Sequence, residues 1–141
     1  TRIGTNGKPY IMEVSSRGGG NRLAEVVRYA NGVDMITACT RAAVGDKIED
    51  IQPQAYNGHW AEIILHAEKK GKFRGLFVSE EMIPFVYEKD LWVEKGDMVE
   101  AFSGANNAIG TLVLRFETAE ILDKALSELS WIKIDVEEYE K

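Results

Sequence analysis

The protein is a chain of 141 residues and 15.8 kDa, 45% hydrophobic and 28% charged, with a formal net charge of −6 and a pI near 5.0. These values predict a folded domain, or a domain with part of a neighbour, because a disordered chain carries fewer apolar residues and a larger charge excess. The acidic balance argues against nucleic-acid binding, and no apolar run reaches the ~20 residues of a membrane span.

The first element predicted along the chain is a β-hairpin. Two extended runs flank an Asn6–Gly7 pair, which is a strong hairpin signal because a type I′ turn needs positive φ at both central positions. In that register Ile3 faces Tyr10, and the residue that would face Glu13 precedes the first residue given. We interpret the first strand as cut; a native short edge strand is the alternative.

The second strand, from Pro9 to Val14, runs into a turn with three consecutive glycines and then into a helix. Glu13, Ser15 and Arg17 lie at i, i+2 and i+4, so their side chains point the same way while the chain stays extended. The helix is predicted to begin at an Asn21 cap and to end at Asn31-Gly32.

This corner combines groups that suit a phosphate and a metal ion. The helix start offers N–H groups and the positive end of the helix dipole to an anion, and the Arg17 guanidinium adds a fork for phosphate or carboxylate. A carboxylate beside such an anion-binding corner is explained if a hard cation bridges the carboxylate and the anion. Glu13 would then hold Mg²⁺, and Mg²⁺ would hold phosphate oxygens. The alternative is a structural ion pair between Glu13 and Arg17 beneath a glycine turn.

A second, apolar helix is predicted from an Asp34 cap to Gly45. Residues 46–58 are polar, contain Pro53 and are interpreted as a linker. The predicted organisation is therefore an N-terminal part over 1–45, a linker over 46–58 and a C-terminal domain over 59–141.

The C-terminal domain is predicted to be antiparallel α+β, with one helix packed on a sheet face. The helix is capped by Thr118, and a last strand covers 131–136. Five further strands are predicted at 59–67, 73–78, 84–93, 98–102 and 109–116.

Residues 7–21 resemble the terminal active-site motif of the ATP-grasp superfamily, in which an acid on a strand is followed by Asn, Arg and glycines. Residues 59–136 more loosely resemble the C-terminal region of L-amino-acid-ligase-type and biotin-carboxylase-like enzymes. The fold class implied is the end of an ATP-grasp domain, with its hairpin, glycine-rich turn and two helices, followed by a small antiparallel sheet domain.

The resemblance also implies roles for individual residues. Glu13 and Ser15 would bind Mg²⁺ and the nucleotide, although Ser15 departs from the usual Asn and a hydroxyl is the weaker ligand. Arg17 would be the catalytic residue that contacts the transferred phosphate or the acyl phosphate. The residues that would contact the second substrate, together with Arg17, are Gly18, Gly19, Gly20 and Asn21.

The function implied is the C-terminal portion of an ATP-dependent carboxylate–amine ligase that uses ATP and Mg²⁺ and forms an acyl phosphate. We expect the chain to be inactive in isolation, because the nucleotide lid, the nucleotide-binding lysines and the N-terminal substrate domain of the family have no counterpart in it. Two alternatives stay open: another ATP-grasp branch, carbamoyl-phosphate-synthase-like or carboxylase, and a non-catalytic ligand- or partner-binding module.

The expected partners are small-molecule carboxylate and amine substrates, with no nucleic acid, no membrane and a homodimer as an open option. A single cysteine, Cys39, cannot form an internal disulfide, and no signal peptide is recognised. We therefore expect a cytoplasmic protein.

Overall fold

The computed structural model describes residues 1–14, 19–48 and 51–138. In that part of the chain the fold is α+β, and none of its helices has the length and apolar composition that crossing a bilayer requires. The elements are β1 (Arg2–Ile3), β2 (Pro9–Tyr10), α1 (Leu23–Asn31), α2 (Met35–Ala43), β3 (His59–His66), β4 (Gly71–Val78), β5 (Val86–Leu91), β6 (Met98–Val99), β7 (Ala108–Phe116), α3 (Ala119–Ser127) and β8 (Ile132–Glu138).

The predicted hairpin is present, but its register differs from the prediction by one residue. Ile3 lies opposite Pro9 rather than Tyr10, and β2 ends at Tyr10 instead of reaching Val14. The N–H of Gly7 donates to the carbonyl of Gly4 at 2.9 Å, and Gly7 adopts a φ of 73°. This pattern is a three-residue loop with a glycine bulge, not a two-residue type I′ turn.

The side chain of Asn6 explains the different turn. Its carbonyl oxygen accepts a hydrogen bond from the Lys8 N–H at 3.0 Å, and its amide nitrogen donates to the Tyr10 hydroxyl at 3.0 Å. Asn6 therefore bonds locally in the way asparagine does in turns, and does not need the left-handed backbone that a type I′ turn would demand.

The predicted end of α1 and the predicted start of α2 are confirmed. Gly32 terminates α1 with a φ of 77°, and the Asp34 carboxylate caps α2 by accepting from the Thr37 N–H at 2.9 Å. The prediction of Asn21 as the cap of α1 is wrong. The capping position is held by Arg22, with no side-chain capping bond, and Asn21 lies in the left-handed region at a φ of 57°.

The strands predicted after residue 58 are all present, but they form two antiparallel sheets rather than one. The first sheet has the order β3-β7-β5 and the second has the order β6-β4-β8. The central strand β7 is buried on both faces, since Leu112, Val113 and Leu114 have no solvent exposure. Such continuous burial is the reason that its sequence is apolar without alternation.

The main hydrophobic core lies on one face of the β3-β7-β5 sheet and is shared with the second sheet and α3. Its largest members include Phe73, Leu112, Phe116 and Trp131, with Ala125 contributed by α3. The opposite face of the same sheet is in contact with α1. Helix α1 is thereby placed on the sheet, with residues 19–21 directly before its capping residue.

Candidate functional site

The residues of the predicted metal and phosphate corner are only partly described. Glu13 lies three residues beyond β2, outside regular strand structure, and it is exposed. Ser15, Arg17 and Gly18 lie outside the described residues. The convergence of Glu13, Ser15 and Arg17 on one spot therefore stays a prediction.

The other three predicted substrate-binding residues, Gly19, Gly20 and Asn21, are exposed and lie directly before α1. A Cβ atom on Gly19 would come within 2.6 Å of the Leu23 Cδ2, so glycine allows the chain to pass close to the first turn of the helix. These residues form a surface turn where the sequence places the end of the glycine-rich segment. Their contact with a second substrate stays a prediction.

The start of α1 is held by a carboxylate from the sheet. The backbone N–H of Arg22 donates to the Glu62 Oε1 at 3.1 Å, and Glu62 belongs to β3. A negative charge is favourable at this end of a helix because it complements the helix dipole. The expectation that the helix start offers unpaired N–H groups to a phosphate is therefore wrong for the N–H of Arg22.

The guanidinium of Arg22 joins α1 to β5. It binds Glu25 through two parallel hydrogen bonds, Nε to Oε2 at 2.9 Å and Nη2 to Oε1 at 2.8 Å. Nη2 also lies 2.8 Å from the Glu88 Oε1, and the Tyr29 hydroxyl donates to the Glu88 Oε2 at 2.9 Å. The Arg22 side chain is only 12% exposed, and its Nη1 is buried without a hydrogen-bond partner in the described part of the chain.

The charges of this network reinforce one another. The hydrogen bond to Arg22 is the main reason that the pKa of Glu25 is lowered, and the bond to Glu25 is likewise the main reason that the pKa of Arg22 is raised. The bond to the Glu88 carboxylate raises the pKa of Tyr29, because the neutral phenol is the donor. The ion pair between Arg22 and Glu25 is thus charged near neutral pH.

The network is a structural cluster and not a metal centre. Within residues 1–14, 19–48 and 51–138, no group of three or more His, Cys, Asp or Glu side chains is arranged to hold a metal ion. One local signal for the network is present in the sequence, the spacing of Arg22 and Glu25 on one helix face. Nothing local indicated Glu62 and Glu88, which lie on two different strands of the sheet.

The far end of α1 rests on aromatic side chains of the same sheet. The Tyr29 ring lies 5.7 Å from the Trp60 ring and 4.9 Å from the Tyr87 ring, measured between centroids. The chain after α2 returns to this end of the helix, where the N–H of Asn57 donates to the carbonyl of Ala30 at 2.9 Å. Both ends of α1 are therefore attached to the β3-β7-β5 sheet or to the segment leading into it.

Comparison with solved structures finds proteins that share the fold of this chain. No family model matches the sequence, and no curated protein matches it. The fold matches phosphoribosylglycinamide synthetase from Anaerococcus prevotii over 91% of the chain, with a TM-score of 0.65 and 23% identity. It also matches L-amino acid ligase from Bacillus licheniformis over 97% of the chain, with a TM-score of 0.62 and 17% identity.

Both of these proteins are ATP-grasp ligases, so the predicted resemblance is confirmed at the level of the fold. The chain shares its fold with a part of each of these two proteins. It spans 34% of the length of the first protein and 35% of the second.

Proposed function

We propose that the chain is the C-terminal part of an ATP-dependent carboxylate–amine ligase. The observation that carries the proposal is the fold match, which extends over at least 91% of the chain in two ligases of which the chain spans about a third. The order of an acid, a hydroxyl, an arginine and glycines before a helix supports the same conclusion at the level of residues.

Glu13 and Ser15 would hold Mg²⁺. The exposed carboxylate of Glu13 and the hydroxyl of Ser15 are hard oxygen donors, and Mg²⁺ commonly binds one or two protein oxygens while phosphate oxygens and water complete its shell. When bound with ATP, the metal ion neutralises charge on the phosphate oxygens. Arg17 would hold oxygens of the transferred phosphoryl group through its guanidinium fork.

The proposed reaction has two steps. A substrate carboxylate oxygen attacks the γ-phosphorus of ATP, ADP leaves, and an acyl phosphate forms. An amine nitrogen then attacks the acyl carbon, phosphate leaves, and the nitrogen loses a proton to give the amide. The protein contributes mainly by positioning the reactants, which can supply a large part of the rate enhancement. The residues that would hold the amine substrate are Gly18, Gly19, Gly20 and Asn21.

The test is Glu13→Gln in the complete protein that contains this chain. At saturating Mg²⁺ the variant should release phosphate from ATP at least about 100-fold more slowly than the wild type, because a charge that stabilises the transferred phosphoryl group is lost. The assay supplies L-amino acids as carboxylate and amine substrates, and bicarbonate in parallel to detect a carboxylase or carbamoyl-phosphate-synthase-like branch.

Glu81→Gln, at an exposed position in the turn after β4, is the matched control and should keep wild-type turnover. The 141-residue chain alone should release no phosphate from ATP. Wild-type turnover of Glu13→Gln would refute the metal role, and phosphate release by the isolated chain would refute the proposal that the chain is only part of the catalytic unit.

A further inference from the structure

We propose that Arg22 is a positioning residue that fixes the start of α1, and with it residues 19–21, on the β3-β7-β5 sheet. The inference rests on the proposed function, because residues 19–21 affect turnover only if they hold a substrate. It differs from the family motif, since Arg22 lies after the glycine-rich segment and touches no predicted metal or phosphate ligand among the described residues.

Helix α1 has no side-chain cap of its own. Its capping residue, Arg22, makes no side-chain capping bond, and Asn21 before it has left-handed backbone. A cap normally satisfies one of the free N–H groups and fixes where a helix begins. Here the Glu62 carboxylate, from a different element, accepts from the Arg22 N–H.

The geometry of the sheet places Glu62 and Glu88 on the same face. Glu62 on β3 and Glu88 on β5 both lie opposite Val113 on the central strand. Directly opposed residues of antiparallel strands share one face, so the two carboxylates flank Val113 on the face that α1 covers. Arg22 binds Glu62 with its backbone and Glu88 with its side chain. One residue therefore joins the helix start to both outer strands.

The Arg22 side chain is largely shielded from solvent. The Arg22 side chain is 12% exposed, and breaking a shielded ion pair leaves a charge without compensation. The Arg74–Glu137 pair on the second sheet is similar in chemistry but exposed at both partners. An exposed pair is screened by solvent and contributes little. Arg74 is for this reason a matched control.

The consequence for function follows from chain connectivity. Residues 19–21 precede Arg22 directly, so a shift of the helix start moves the backbone that would hold the amine substrate. A displacement of about 1 Å at a substrate-holding group can reduce a rate by about two orders of magnitude. Glu13 and Ser15, the proposed ligands of Mg²⁺ and nucleotide, lie further from Arg22 along the chain than residues 19–21 do. ATP binding should therefore be affected much less than amine binding.

The first experiment measures hydroxamate formation by the complete protein, with L-amino acids at fixed concentration as the carboxylate source and hydroxylamine as the varied amine. Arg22→Met should raise the KM for hydroxylamine at least about tenfold while the KM for ATP stays within about twofold. Arg22→Lys keeps the charge but lacks the planar fork, so it should restore less than half of the loss. Arg74→Met should change neither KM.

The second experiment needs no activity and uses the 141-residue chain. Amide hydrogen exchange at residues 22–27 should be at least about tenfold faster in Arg22→Met than in the wild type, with residues 35–43 of α2 unchanged. Glu88→Gln removes the same ion pair with little change of shape and should accelerate exchange in the same range. This variant keeps the test valid if Arg22→Met does not fold.

The outcomes separate the two proposals. A wild-type protein that forms no hydroxamate with any carboxylate overturns the proposed function, and the positioning role with it. A wild type that is active, with an unchanged KM for hydroxylamine in Arg22→Met and Glu88→Gln, overturns the positioning role alone. Faster exchange combined with equal rises in both KM values would mean that Arg22 only stabilises the fold, and would also overturn it.

Discussion

Arg22 and Glu25 lie at i and i+3 on the first turn of α1, where the two hydrogen bonds between them are the main cause of the lowered pKa of Glu25. An acid in the first turn of a helix also complements the helix dipole. The pair is thus stabilising only while Glu25 is ionised, which makes its contribution dependent on pH.

Glu25→Gln should therefore change how stability depends on pH. Because the folded-state pKa lies below the ordinary value of 4.5, the stabilisation is complete above that value and is lost as the pH falls through the folded-state pKa. Urea unfolding of the chain should show the variant less stable than the wild type at pH 7. The difference should shrink once the pH falls below 4.5.

Glu81→Gln removes an exposed glutamate and serves as the control, with little effect on stability at either end of the pH range. A difference between the wild type and Glu25→Gln that stays constant down to the lowest pH would contradict the role assigned to the ionised carboxylate.

At the scale of elements, most local signals in the sequence predicted the structure correctly, with the Asn21 cap as an exception, whereas the pairing of distant strands was not predicted. The Asp34 cap, the Gly32 terminus and every strand after residue 58 were predicted, because caps and alternating apolar runs depend on neighbouring residues. The division of the strands into two sheets was missed, since it depends on which strands pair, and pairing joins residues far apart in the chain.

The distinction between local and non-local signals also explains which parts of the candidate site the sequence could predict. The order of Glu13, Ser15, Arg17 and the glycines is local, so the sequence alone could suggest it. The Arg22 N–H at the start of α1 donates to Glu62, which lies 40 residues further along the chain. No local pattern could suggest this contact. The predicted hairpin register was wrong for a different reason. An Asn-Gly pair suits both a two-residue type I′ turn and a three-residue loop, and the hydrogen bonds of the Asn6 side chain are those of the three-residue loop.

Thr118→Ala tests a predicted cap directly. The Thr118 hydroxyl accepts from the Ile121 N–H at 3.3 Å at the start of α3, the helix that contributes Ala125 to the core. Loss of the cap should lower the free energy of unfolding by about 0.5–1 kcal/mol, the lower part of the usual range because the bond is long. Urea unfolding of the chain measures the change.

Thr118→Ser keeps a hydroxyl that can accept the same hydrogen bond, so it should retain most of the stability that Thr118→Ala loses. Equal stability of the wild type and both variants would show that the hydroxyl does not cap α3 in solution.

At the scale of the whole molecule, apolar side chains of the described residues differ sharply in how well they are shielded from solvent. The β3-β7-β5 sheet has α1 on one face and the core on the other, whereas the segment after the hairpin exposes large apolar side chains. Ile11 is 73% exposed, Met12 is 70% exposed and Val14 is 82% exposed. Neighbouring apolar groups of this size on a surface usually mark an interaction site.

We therefore expect the 141-residue chain to self-associate through this segment. Its weight-average mass in sedimentation equilibrium should rise above 15.8 kDa with increasing concentration, because association removes the apolar side chains from water. The double variant Met12→Gln/Val14→Thr, which leaves Glu13 in place, should stay near the monomer mass. Tyr56→Gln removes an exposed aromatic ring from the segment before β3 and should associate as the wild type does. A wild-type chain that remains monomeric over the whole concentration range, or a double variant that associates equally, would show that this segment is not an interaction surface.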